Sequence, residues 1–262
     1  MEIFTPVIAL GALGLIFGAL LGVAARKLKI EVDEKTDKIC ELLPGANCGG
    51  CGFAGCNAFA KALTDNSADA SLCSGCSEEN LNKIENITGG ITKKREKLVA
   101  YVMCSGKTDI CKDRFTYEGI KDCNSALRYA NGAKACLYAC LGYGTCVESC
   151  KFNALSIKDG LAIVDSSLCV GCGACIDVCP RGVIKLIPKK KTSIVLCSSK
   201  NKGAKMKNIC TAGCIGCSIC VKECKEGAIT VDNNLAVIDY NKCTACGDCV
   251  LKCPKNIITL TD

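Results

Sequence analysis

The chain has 262 residues, of which 27 are Cys and none is His or Trp, and its formal charge is +7. Cysteine at this density is far above ordinary usage, and an odd count in a long chain with repeated C-x2-C pairs suits metal or cluster ligation better than a disulfide framework. Without His there is no imidazole base and no His metal ligand. The absence of a P-loop and of a strand-linked G-x-G-x-x-G argues against a nucleotide site, so no catalytic residue is assigned.

The first predicted element is an apolar helix, Phe4 to Ala25, with no charge across 22 residues. As a helix it spans about 33 Å, enough for a hydrocarbon core. It lacks the basic leader of a signal peptide. Arg26, Lys27 and Lys29 follow it, which places that end in the cytoplasm. Residues 1–29 are therefore expected to be a single-pass transmembrane anchor in the cell membrane, with the bulk of the chain cytoplasmic. Gly14, Gly18 and Gly22 share one helix face, where a partner helix has room to approach.

Residues 30–90 are expected to form a small helical iron–sulfur domain. Ile30 to Cys40 is a charged connector. Cys48, Cys51, Cys56 and Cys73 then follow with the spacing C-x2-C-x4-C-x16-C. Glycines between them let the backbone wrap closely and aim N–H groups at sulfur. Cys76 is the rival to Cys73, and a zinc knuckle is the rival to a cluster. Asn57 to Leu63 reads as a short amphipathic helix. Glu78 to Lys97 is polar, carries Gly89-Gly90, and reads as a linker.

Two tandem ferredoxin-like units follow, at 91–192 and 193–262, giving an α+β chain. Cys150 to Ile184 aligns without a gap on Cys224 to Ile258, at an offset of 74 residues, and all five cysteines coincide. Each ends in C-x2-C-x2-C-x3-C-P, the run that holds four-iron clusters, in which the fourth Cys serves the other cluster of the pair. Cys214, Cys217 and Cys220 are thus expected to pair with Cys253, and Cys243, Cys246 and Cys249 with Cys224. By the repeat, Cys169, Cys172 and Cys175 go with Cys150.

The first unit has Tyr143 where the second has Cys217. Its remaining set, Cys140, Cys146 and Cys179, must recruit another thiol, and Cys136 is the candidate. Five [4Fe-4S] clusters result. Cys104, Cys111 and Cys123 leave open either a sixth cluster, with Cys136 as its fourth thiol, or plain buried thiols. The roles of Cys40, Cys76, Cys197 and Cys210 stay open.

Secondary structure is expected as a strand at Leu98 to Met103 and a short helix capped by Asp122 that ends at Gly132. Hairpins are expected at Ala154–Ile157 with Leu161–Val164, and at Ala228–Val231 with Leu235–Ile238. Five clusters at about −2 each would bring the net charge to about −3, so the basic composition does not point to nucleic acid. Between Asp177 and Glu223 there is no acidic residue but ten Lys or Arg, among them Lys189, Lys190 and Lys191. This stretch is a solvated loop, a membrane contact or a docking site for an acidic protein.

The anchor, the LPGANCGGCGFAGC segment, the CLGYGTCVESC segment and the paired ferredoxin units together resemble the B subunit of the Rnf complex, in its long clostridial form. The resemblance covers nearly the whole chain. It implies an electron-transfer component of a membrane ferredoxin:NAD oxidoreductase that pumps Na+ or H+. Electrons would enter from reduced ferredoxin, docked near Lys189–Lys191. The other Rnf subunits would be partners, and flavin and NAD would sit on them. The alternatives are an anchored polyferredoxin of another enzyme, such as a hydrogenase, and a cluster-storage scaffold.

Overall fold

The computed structural model describes residues 4–27, 33–90 and 96–261. Helix α1 (Phe4–Lys27) is 24 residues long. Among the described residues no helix is both long and apolar enough to cross a membrane. To that extent the expected transmembrane helix is not met. The described side chains of α1, from Val7 to Val23, are exposed all round the helix.

The expected connector before the first cysteines is instead a helix, α2 (Glu34–Leu42); residues 30–32 of that stretch lie outside the described residues. Asp33 caps α2 by accepting the Lys35 N–H, and Glu34 pairs with Lys38 one turn on, at 2.8 Å. Helix α3 (Cys56–Thr64) covers the expected amphipathic segment, and a 3-10 turn (Ala70–Leu72) is capped by Asp69. The expected linker is also largely helical, as α4 (Glu78–Thr88). Ser77 caps it through the Asn80 N–H, Glu78 and Glu79 fill its first turn, and Gly89 ends it in the left-handed region at φ 71°. Residues 91–95 of that linker lie outside the described residues. Ile39, Phe59, Leu63 and Ile84 form one core among these helices.

The remainder repeats one plan. In the first copy come β1 (Leu98–Val102), α5 (Cys123–Arg128), α6 (Thr145–Glu148), β2 (Leu155–Lys158), β3 (Leu161–Val164), α7 (Ala174–Asp177) and β4 (Ile184–Pro188). The second has β5 (Ser193–Val195), α8 (Gly203–Ile209), α9 (Ile219–Glu223), β6 (Ile229–Asp232), β7 (Leu235–Ile238), α10 (Asp248–Leu251) and β8 (Ile258–Leu260). All sheets are antiparallel pairs: β1 with β4, β2 with β3, β5 with β8 and β6 with β7.

Both expected hairpins are present. Their two-residue turns, Asp159-Gly160 and Asn233-Asn234, have positive φ at both positions, as a tight hairpin matching the strand twist requires. Asp122 caps α5 as expected, but the helix stops at Arg128 rather than Gly132, because Tyr129 is extended and Ala130 and Asn131 are left-handed.

Two-stranded ladders are marginal by themselves, so each unit leans on its interior. That interior mixes aliphatic side chains with buried cysteines: Cys140, Cys146 and Cys175 in the first unit, and Cys214, Cys220 and Cys249 in the second. The units meet at the ends of β1 and β5. Ser105 Oγ donates to the Leu196 carbonyl (3.2 Å), and Ser198 Oγ donates to the Met103 carbonyl (2.8 Å). These two bonds are each other's equivalents under the internal repeat.

Candidate metal centres

In the helical domain, Gly49 and Gly52 take positive φ, and the Gly52 N–H closes a turn on the Gly49 carbonyl. Asn47 Oδ1 accepts the Cys56 N–H at 2.8 Å and fixes the start of α3. The turn and the helix start carry Cys48, Cys51 and Cys56. Cys73 comes to the same place at the end of the 3-10 turn: burial raises its thiol, and the charges of Cys51 and Cys48 add to that. Cys40 donates its Sγ–H to Asn57 Oδ1 and Cys76 donates to the Leu42 carbonyl.

In the first ferredoxin unit, one pocket is lined by Cys150, Cys169, Cys172 and Cys175. The Ala154 N–H donates to Cys150 Sγ and the Ala100 N–H to Cys169 Sγ, both at 3.4 Å. A second pocket is lined by Cys140, Cys146, Cys179 and Cys123. Cys123 lines that pocket, whereas Cys136, expected there, packs with Cys111 and Cys210. The physical reason is local. Thr145 donates to Asp122 Oδ1 (2.8 Å) and accepts the Cys123 N–H (2.9 Å), which clamps the start of α5 onto the start of α6. Tyr143, at the position of the missing cysteine, packs instead against Tyr117.

In the second unit, Cys214, Cys217, Cys220 and Cys253 line one pocket. Cys224, Cys243 and Cys246 act on Cys249, and the Ala228 N–H donates to Cys224 Sγ at 3.3 Å. In both units the fourth cysteine of each run thus sits with the other triplet. Burial pushes Cys146 and Cys175 up to about 12 and Cys220 up to about 11, with neighbouring thiols adding to it. Such thiols stay protonated near neutral pH, and a bound metal centre would displace their protons.

Cys104 and Cys111 lie with Cys136, as one of the two expectations had it, but with Cys210 in place of Cys123. Sequence reasoning missed Cys123 as a partner of Cys140, and Cys210 as a partner of Cys111. The signal for Cys210 was present, since it is the repeat equivalent of Cys136. Among the described residues no three His, Cys, Asp or Glu close on a single metal ion. A zinc site draws its thiolates to about 2.3 Å from one ion, whereas a cluster spreads them over separate irons, and the wide groups of four with N–H donors to sulfur fit the latter.

Family models describing Fe–S and 4Fe-4S sites match three stretches. An Fe-S cluster model covers residues 43–74, a 4Fe-4S binding domain residues 162–185, and a 4Fe-4S dicluster domain residues 213–258. The chain is 43 % identical over 98 % of its length to the B subunit of the Na(+)-translocating ferredoxin:NAD(+) oxidoreductase complex of Acetobacterium woodii, covering 78 % of that protein. It is 42 % identical to the B subunit of an ion-translocating oxidoreductase complex of Methanosarcina acetivorans, over 98 % of both chains. The B subunit of the proton-translocating ferredoxin:NAD(+) oxidoreductase complex of Clostridium ljungdahlii is 40 % identical over 95 % of this chain and 91 % of that one.

Proposed function

Since the chain belongs to the family of Rnf-type B subunits, and is an iron–sulfur electron-transfer component of such an oxidoreductase complex, we propose that it is where electrons enter the complex. It takes single electrons from reduced ferredoxin and delivers them toward NAD reduction on other subunits, coupled there to Na+ or H+ translocation. Four-iron clusters, when bound, supply one-electron carriers.

The proposed ligand sets are Cys48, Cys51, Cys56 and Cys73; Cys150, Cys169, Cys172 and Cys175; Cys123, Cys140, Cys146 and Cys179; Cys214, Cys217, Cys220 and Cys253; and Cys224, Cys243, Cys246 and Cys249. The observation that supports this reading is that three pockets are each lined by four of these thiols, and that the sulfurs of Cys150, Cys169 and Cys224 accept backbone N–H bonds. The match at residues 43–74 includes Cys73 and stops short of Cys76, and Cys76 spends its proton on a carbonyl. The helical domain abuts the first unit closely: a Cβ at Gly50 would stand 2.7 Å from the Cys172 carbonyl oxygen. That contact supports electron entry between the Cys48 and Cys172 sets.

Membrane association follows the family. We assign it to α1, because its described side chains from Val7 to Val23 are apolar and exposed all round, and such a helix needs an apolar surround. Lys189, Lys190 and Lys191 are exposed on the strap from β4 to β5, and we assign them to the docking of acidic ferredoxin.

The test is stopped-flow mixing of the anaerobically purified protein with reduced ferredoxin. Reversible bleaching of cluster absorbance is expected. Changing Lys189, Lys190 and Lys191 to Glu should slow it about tenfold at low salt and flatten its salt dependence. No bleaching of the wild type would sink the electron-input role. Unchanged kinetics in the triple variant would move the docking site elsewhere.

A further inference from the structure

Five cysteines outside these sets, Cys104, Cys111, Cys136, Cys197 and Cys210, gather where the two ferredoxin units join. Cys111, Cys136 and Cys210 are 0 %, 4 % and 7 % exposed. Cys111, Cys136 and Cys210 share one buried cluster with Cys104 packed against it, and the reciprocal Ser105–Leu196 and Ser198–Met103 bonds hold the segment of Cys104 beside that of Cys197. An antiparallel β-bridge joins Cys111 to Cys210 in the backbone.

Four of the five are two pairs of repeat equivalents, Cys104 with Cys197 and Cys136 with Cys210, and their surroundings repeat as well. Cys104 Sγ accepts N–H bonds from Gly106 (3.3 Å) and Cys140 (3.5 Å). Cys197 Sγ accepts from Ser199 and Cys214, both at 3.4 Å. Two N–H donors on one sulfur suit an iron-bound thiolate, while burial, the larger effect, holds the unligated Cys104 and Cys197 thiols up.

Positive charge faces the group too. The ammonium of Lys134, itself 5 % exposed, reaches the Cys111 carbonyl at 3.5 Å while pairing with Asp113 at 3.4 Å, which offsets part of its charge. Arg181 acts on Cys136, and its Nε is buried without a hydrogen-bond partner among the described residues. Thiols serving only as core, three of them buried and two half-buried, would need neither the N–H donors nor the cations.

We infer that this junction holds a further four-iron cluster, ligated by Cys104, Cys136, Cys197 and Cys210, with Cys111 as a supporting thiol beside Cys210. The inference rests on the cluster reading of the flanking sets. Its position says what it is for. One Cys104 bond comes from the peptide of Cys140, in the last set of the first unit, and one Cys197 bond comes from the peptide of Cys214, in the first set of the second. The site thus bridges the units: an electron arriving on the Cys140 side leaves on the Cys214 side, with no bond made or broken.

The test is iron and acid-labile sulfide counting on the anaerobically purified full chain, with EPR of the reduced protein. About 24 irons are expected in the wild type and in Cys111→Ala, and about 20 in the Cys104→Ala/Cys197→Ala double variant. About 20 irons in the wild type would overturn the junction site and leave the five flanking sets standing. Far fewer would overturn both readings. A loss of iron in Cys111→Ala would overturn the choice of ligands. Should the double variant not fold, Cys197→Ser alone decides: a three-iron or shifted EPR signal is expected, and a spectrum identical to the wild type's overturns the site.

Discussion

The two ferredoxin units run side by side from Cys150 and Cys224 onward, with the same hairpin, the same short helix and the same closing strand. They part company before that point. The second unit carries all its ligating candidates within its two local runs, and the dicluster model matches it continuously over residues 213–258. In the first, Tyr143 stands at a ligand position, and family matching begins only at residue 162. Yet both units present two groups of four thiols. Cys123, brought in by an insertion and clamped through Asp122 and Thr145, takes up the place left by Tyr143. The difference teaches that the arrangement around a cluster survives the loss of its motif when a loop can deliver a thiol to the same point.

The largest effect should come from breaking that substitution. Cys123→Ala is expected to remove or degrade one cluster, a loss of up to about four irons. Adding Tyr143→Cys, which recreates the second unit's run, should restore them. If Tyr143→Cys fails to restore iron to Cys123→Ala but does restore it to Cys136→Ala, the roles of Cys123 and Cys136 are reversed.

A smaller effect is expected from the glycines ahead of α6 and α9. Gly142 and Gly216 are repeat equivalents, and both are left-handed, at φ 77° and 65°. Alanine costs about 1–2 kcal/mol at either position for conformation alone. At Gly142 the new Cβ would also collide with the Gly160 carbonyl oxygen, whereas at Gly216 it would sit 3.0 Å from the Asn234 carbonyl oxygen. Gly142→Ala should therefore destabilise its unit by about 3 kcal/mol or more and Gly216→Ala by about 1–2. The urea midpoint for cluster bleaching reads the difference, and equal midpoints would refute it.

The smallest effect belongs to the seam between the units. Ser105→Ala and Ser198→Ala each remove one part-buried hydrogen bond to a carbonyl, worth about 1 kcal/mol. The shorter Ser198 bond should cost slightly more. Differential hydrogen exchange at the ends of β1 and β5 reports it, and a loss confined to one unit would show that the two bonds are not equivalent.

The cysteine runs, the two hairpins and the Asp122 cap were legible because each depends on neighbours in sequence. Helices α2 and α4 were legible in principle: Asp33, Ser77 and Gly89 are ordinary helix starts and stops. Their polar composition suggested linkers, but each needs to bury only one apolar stripe, through Ile39 and Ile84.

The sequence by itself determined the chemistry: repeated thiols without imidazole, in runs whose spacing wraps one backbone turn around a cluster, and an apolar helix ahead of them. Only the tertiary structure decided which distant thiols share a place. Cys123 reaches Cys140 because a hydroxyl bridges two helix starts. Cys104 and Cys136 meet Cys197 and Cys210 because two like units pack face to face. Local spacing fixes three ligands of a set, since a turn can carry them. The fourth ligand, or a whole set at a junction, is chosen by packing across long stretches of chain, which no local spacing encodes.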